Sequence, residues 1–96
     1  MSAEHINDDM LEVARLGIDA ESFLASSLGK TLMAQSEAEE RHLIEELIGA
    51  DPSDVAANTA IRMRIHACRM ATQRLLNIVQ AGRQAEQAIR DVEQAD

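Results

Sequence analysis

From Ile61 to Ile89 one rule governs the apolar residues. Ile61, Ile65, Cys68, Thr72, Leu75, Val79, Gly82 and, after one polar position, Ile89 recur at alternating spacings of four and three. That period keeps one stripe of side chains on one side of a helix over many turns, the seam of antiparallel helix packing. Strand signals are missing: β-branched runs are few, there is one proline, and Ala, Leu, Glu, Gln and Arg occur throughout. The expected class is all-α, an antiparallel helical hairpin of two long helices with a short N-terminal helix.

The material for its core is thin. Phe23 is the only aromatic residue and alanine, with sixteen copies, is the commonest. Leu, Ile, Val, Met and Ala must therefore fill the interior, each burying less surface than an aromatic ring. Ninety-six residues make a single domain over 1–96, of a size where one core is only just sufficient. At about 25 cal/mol per Å² of apolar burial, a lone two-helix hairpin has little surplus over its chain entropy. Either a third helix or another chain is expected to cover it.

Local signals divide the chain. Gly49-Ala50-Asp51-Pro52-Ser53-Asp54 is the clearest punctuation. Gly49 suits the left-handed position past a helix end, and Asp51 is placed to cap the next helix with Pro52 in its first turn. Asp54 adds a favourable charge near that N-terminus. So short a connection makes its flanking helices antiparallel neighbours. A short helix is expected over about 7–16, started by Asn7 or Asp8 and broken at Gly17, where the chain folds back or kinks. A long helix follows over about 20–48 with Asp19 as its N-cap. Beyond the turn at 49–51, a second long helix spans about 52–94, bending near Gly82. Phe23, Leu24, Leu28 and Leu32 form one apolar block of the 20–48 helix, and Leu43, Ile44, Leu47 and Ile48 another. Between them runs a polar stretch, 35–42, in which Ser36 and Glu39 match a capping box.

Charge is partitioned along the chain. Residues 1–54 hold thirteen acids and three bases, residues 55–85 no acid and five arginines, and residues 86–96 four acids and one arginine. Folding at the turn sets Arg62 and Arg64 opposite Glu39 and Glu37. Such partly exposed pairs contribute about 0–1 kcal/mol each and chiefly fix register. The alternative is that Arg62, Arg64, Arg69 and Arg74 form a candidate anion-binding surface, since guanidinium suits phosphate bidentately. The internal pairing is favoured. Duplex DNA is not an expected partner, because the acidic remainder repels nucleic acid and there are no aromatic side chains to stack on bases. Met63, Ala67 and Met70 fall opposite the main stripe. With Ala60 and Ala71 they form a second apolar face, a candidate protein contact, because methionine adapts to irregular surfaces.

Catalytic constellations are absent from the pattern. Glu39-x-x-His42 has the spacing of half a ferritin-like metal site, but residues 55–85 supply no carboxylate to complete it, so no metal and no cofactor is expected. Cys68 sits on the apolar seam, where a thiol behaves as a small hydrophobe. A lone cysteine also excludes an intramolecular disulfide. His66 lies among arginines with no nucleophile to serve, His5 sits in a frayed terminus, and Ser26 and Ser27 have no neighbouring base. Gly29-Lys30-Thr31 ends like a phosphate loop but lacks its earlier glycine. The chain is expected not to be an enzyme. Neither a signal peptide nor an apolar stretch of about 20 residues is present, so no membrane association is expected.

Asp19-Ala20-Glu21-Ser22-Phe23-Leu24-Ala25-Ser26-Ser27-Leu28-Gly29-Lys30, then Glu37-Ala38-Glu39, Ala50-Asp51-Pro52 and Ala81-Gly82-Arg83-Gln84-Ala85-Glu86, resemble small helical proteins of tailed bacteriophages and prophages. The resemblance spans about residues 19–89. Met70 to Leu76 depart from it, lacking the aromatic residues that group carries there. It implies a phage origin, with weight on virion structure or assembly, and assigns no functional residue. The resulting expectation is a non-enzymatic homo-oligomeric virion-assembly or accessory factor in the virion or host cytoplasm. Two alternatives stand beside it: an acidic inhibitor that sequesters a host protein, and a small-anion or nucleotide binder using the arginine-rich helix.

Overall fold

A computed structural model describes residues 7–95, and the described chain is all-helical. Helix α1 spans Asp8–Ala25, α2 Ser27–Gly49 and α3 Val55–Ala95. No helix among the described residues is long and apolar enough to cross a membrane. His5 lies outside the described residues. The chain divides into two compact units, Met1–Ser26 with Leu75–Asp96, and Ser27–Arg74.

The first unit joins α1 to the C-terminal half of α3. Asn7 starts α1 as anticipated: its side-chain oxygen accepts from the Met10 N–H at 2.8 Å, while Asp8 and Asp9 place negative charge in the first turn. The helix does not end at Leu16. It continues through Gly17 and Asp19 to Ala25, so Asp19 caps nothing and the expected fold-back at Gly17 is absent. A mid-helix glycine costs about 1 kcal/mol relative to alanine. That cost is accepted here because Gly17 lies against Gly82 of α3. A Cβ built on Gly17 would lie 2.6 Å from the Gly82 Cα and 3.3 Å from the Ile78 carbonyl oxygen. The two backbones touch where neither chain has a side chain, and α3 runs on through Gly82 to Ala95 as one helix. Ala14, Ala20 and Val79 are buried around this crossing. Arg83 Nε donates to Glu21 Oε1 at its edge, at 2.9 Å.

The break that does occur falls at Ser26. Its backbone is extended, with φ −72° and ψ 160°, its N–H donates to the Ser22 and Phe23 carbonyls, and its hydroxyl donates to the Phe23 carbonyl. An extended Ser immediately before a helix has the backbone geometry of an N-cap. The expected 20–48 helix is thereby divided between α1 and α2. Ser36 and Glu39, by contrast, sit inside continuous α2.

The second unit joins α2 to residues 55–74 of α3. Leu43, fully buried, packs with Ile61 and Ile65, and Ile44, Leu47, Ala50 and Cys68 close around them. Every member of the stripe from Ile61 to Ile89 is buried or half-buried in its own unit. Of the first expected apolar block, Phe23 and Leu24 are half-buried on α1, whereas Leu28 and Leu32 on α2 are exposed.

The connection between α2 and α3 is built differently from its expected form. Gly49 is the last residue of α2, and no described glycine has a positive φ. A helix-compatible Gly49 with open space around its missing Cβ makes Gly49→Ala a stabilising change. The gain is about 0.4–1 kcal/mol, mainly from reduced unfolded-chain entropy, and reads as a higher urea midpoint with unchanged slope.

Asp54, not Asp51, caps α3: its carboxylate accepts from the Ala57 N–H at 3.1 Å, so Pro52 precedes the helix. Asp51 instead folds the linker on itself, accepting from the Ser53 N–H at 2.9 Å and the Ser53 hydroxyl at 2.8 Å. The Asn58 side-chain amide donates to the Asp51 and Asp54 carbonyls, both at 2.8 Å. The two Ser53 bonds, backbone first, hold the Asp51 carboxyl below its ordinary value of 3.8. A carboxyl lowered in the folded state stabilises it above the unfolded value and loses that contribution as pH falls through the folded value. The stability difference between wild type and Asp51→Ala should therefore be complete above about pH 5 and shrink through pH 3.8 and below. Urea titrations of both proteins across that range measure it, and a pH-independent difference would contradict the assignment.

Candidate protein-contact site

Because α3 turns Ile61 and Ile65 towards Leu43, helical periodicity carries Met63, Ala67 and Met70 to the opposite side. All three are exposed, Met63 at 68%, and Ala60 and Ala71 beside them are exposed as well. The second apolar face expected from the pattern is thus brought together on one side of α3.

The four arginines do not share one surface. Helical spacing puts Arg62 and Arg69 on one flank of the buried stripe and Arg64 and Arg74 on the other. Arg64 lies 3.8 Å from Glu39, and Arg69 Nε donates to Glu40 at 3.2 Å. These pairings replace the expected Arg62–Glu39 and Arg64–Glu37. The register differs because the linker extends through Asp54, moving the start of α3 three residues beyond Pro52. Arg62 and Arg74 form no salt bridge among the described residues. Every arginine in a cross-helix pair stays more than half exposed, so each pair contributes about 0–1 kcal/mol.

Glu39 and His42 are exposed on α2, and no group of three His, Cys, Asp or Glu side chains among the described residues is placed to hold a metal ion. Cys68 is free and half-buried, and its carbonyl accepts from the Thr72 hydroxyl.

Sequence reasoning missed a groove on the flank that carries Arg62. A depression of about 440 Å³ beside the linker is lined in part by Leu47, Ile48, Val55 and Arg62. A second, of about 350 Å³, shares Leu47 and Arg62 and adds Ile44, Ile65, His66 and Arg69. Ile48 and Val55 are 80% and 71% exposed, although both flank the linker in sequence and look like ordinary core residues there. The available signal was the pair Leu47-Ile48: adjacent apolar residues on a helix point about 100° apart, so one buried stripe cannot take both.

Comparison of the chain with protein-family models, with curated proteins and with solved structures returned no match.

Proposed function

We propose that this chain is a non-enzymatic helical protein that works through protein–protein contact, as an oligomeric virion-assembly or accessory factor of a phage. The observation that carries the contact reading is the imbalance of its apolar surface. Six hydrophobic residues are buried, two of them alanines, while twelve large hydrophobic side chains are exposed. Fully burying one such side chain contributes about 1.5–3 kcal/mol, so association has far more to gain than the monomer has already gained. Leu43 against Ile61 and Ile65, with Glu39 beside Arg64 and a short linker, supports an antiparallel hairpin of α2 and the first half of α3 as its unit. The phage assignment rests on the sequence resemblance over about residues 19–89, and with it the virion or host cytoplasm as location.

The contact face of this reading is Met63, Ala67 and Met70. Molar mass by light scattering across a concentration series should exceed 10.5 kDa. Met63→Glu combined with Met70→Glu should lower that mass towards the monomer while far-UV circular dichroism stays unchanged. A monomeric wild type at every concentration overturns the self-assembly reading. An oligomer indifferent to both glutamates removes this face from it.

A second reading has its own observation. Asp9, Asp19, Glu37, Glu45 and Glu46 are exposed and outside the salt bridges found among the described residues, an acidic surface fit to sequester a basic host protein. Its signature is co-purification of one host protein that is lost at high salt.

A further inference from the structure

The groove beside the linker combines two properties that normally exclude each other on a free surface. Its floor is apolar, formed by Leu47, Ile48 and Val55 and extended by Ile44 and Ile65. Its rim is cationic: Arg62, His66 and Arg69 follow one another at spacings of four and three along a single edge of α3. Arg62 has no carboxylate partner among the described residues. Two copies of the groove cannot face each other, because their like-charged rims would meet. The occupant must bring apolar side chains edged by acids.

Helix α1 presents such a strip. While Ala14, Gly17 and Ala20 are buried, Leu11 and Ile18 remain exposed on the same helix, seven residues apart. Beside them lie Glu12 and Asp19, also exposed and also seven apart. Seven residues of helix rise about 10 Å, the same interval that separates Arg62 from Arg69 on α3. Apolar strip meets apolar floor, and acidic edge meets basic edge, at one repeat distance. The surroundings agree: residues 8–25 carry five acids against Arg15 alone, and residues 55–74 carry four arginines and no acid.

We infer that the groove lined by Leu47, Ile48 and Val55 and rimmed by Arg62, His66 and Arg69 docks helix α1 of a second copy of this chain through Leu11 and Ile18, with Glu12 and Asp19 facing the cationic rim. The inference rests on the self-association reading and adds to it a second, charge-complementary interface distinct from the Met63 face. The charge partition along the sequence then acts between chains: the acids of one copy find their counter-charges on the next, and only one relative orientation satisfies both edges.

Charge exchange tests this directly. One variant carries Arg62→Glu with His66→Glu, and the other Glu12→Lys with Asp19→Lys. All four positions are exposed, so helicity by circular dichroism should match wild type for both. Each variant alone sets like charges across the interface and should weaken its own association at least about tenfold by sedimentation or light scattering. An equimolar mixture should regain association, because every groove then meets an α1 of opposite sign. Higher salt should weaken the wild-type assembly and shrink the contrast between variants and wild type. If wild type assembles and neither variant changes its affinity, or the mixture gains nothing over the separate variants, this interface is wrong while the self-association reading stands. If wild type is monomeric throughout, both fall together. A Met63→Glu and Met70→Glu protein that dissociates while the charge variants do not would assign assembly to the methionine face alone.

Discussion

Replacing Gly82 with alanine should destabilise the protein by about 1–3 kcal/mol, although the same change ordinarily favours a helix by about 1 kcal/mol. The added Cβ would lie 2.5 Å from the Gly17 Cα, 3.2 Å from the Gly17 nitrogen and 3.2 Å from the Val13 carbonyl oxygen. All three are main-chain atoms, so no side chain can rotate away. Relief requires α1 and α3 to separate, and the dispersion contacts along the crossing are lost together. Gly82→Leu should be worse, and Gly17→Ala should resemble Gly82→Ala, since the contact is reciprocal. The double alanine variant should cost less than the sum of the singles, because helices already pushed apart by one methyl accommodate part of the second. Urea denaturation at fixed protein concentration measures all of these. The sharpest comparison is with Gly49→Ala, the same chemical change with the opposite expected sign. If Gly82→Ala raised the midpoint as well, the backbone contact described here would not exist in solution.

The second large effect is expected at Leu43. It is the one large side chain completely removed from solvent among the described residues, and it holds Ile61 and Ile65 against α2. Leu43→Ala should cost about 2–5 kcal/mol, the transfer term for the lost methyl groups plus the cavity they leave. Domains of this length have about 5–15 kcal/mol in total, so the variant sits near the edge of folding. Amide exchange localises the effect. Protection should fall first in residues 27–74, the unit built on Leu43, and less in α1 and the end of α3, which pack around Gly17 and Gly82. A loss spread evenly over both units would mean that they unfold as one. A cost below about 1 kcal/mol would mean that Leu43 is not the centre of the core.

These two positions differ in how far the sequence announced them. Leu43 belongs to an apolar cluster at helical spacing, facing a stripe of alternating fours and threes, and its burial follows from periodicity. Gly17 and Gly82 were equally conspicuous, but their local meaning misleads. Glycine weakens an isolated helix, so Gly17 reads as a break and Gly82 as a bend. In the folded chain each removes a side chain where another helix must approach, and both helices continue. Ser26 shows the converse. It lacks the capping box that Ser36 and Glu39 display, yet the chain is extended at Ser26 and helical at Ser36. The candidate contact residues Met63, Ala67 and Met70 were legible, because the side of α3 opposite its stripe follows from the stripe itself. The groove was not legible, because it depends on which face of α2 lies over which turn of α3.

By itself the sequence determined the helical class, the start of α1 at Asn7, the linker after Gly49 and the buried stripe of α3. Each of these depends on interactions within about one turn or on the period of a single helix, where propensity, capping and amphipathic spacing act without knowledge of a partner. Only the tertiary structure decided that Gly17 meets Gly82, that Arg64 and Arg69 reach Glu39 and Glu40, and that Ile48 and Val55 stay in solvent. Those outcomes turn on the distance and register between helices. A shift of one residue rotates a side chain by about 100°, enough to carry it from one face to another, and nothing local in the chain encodes that choice.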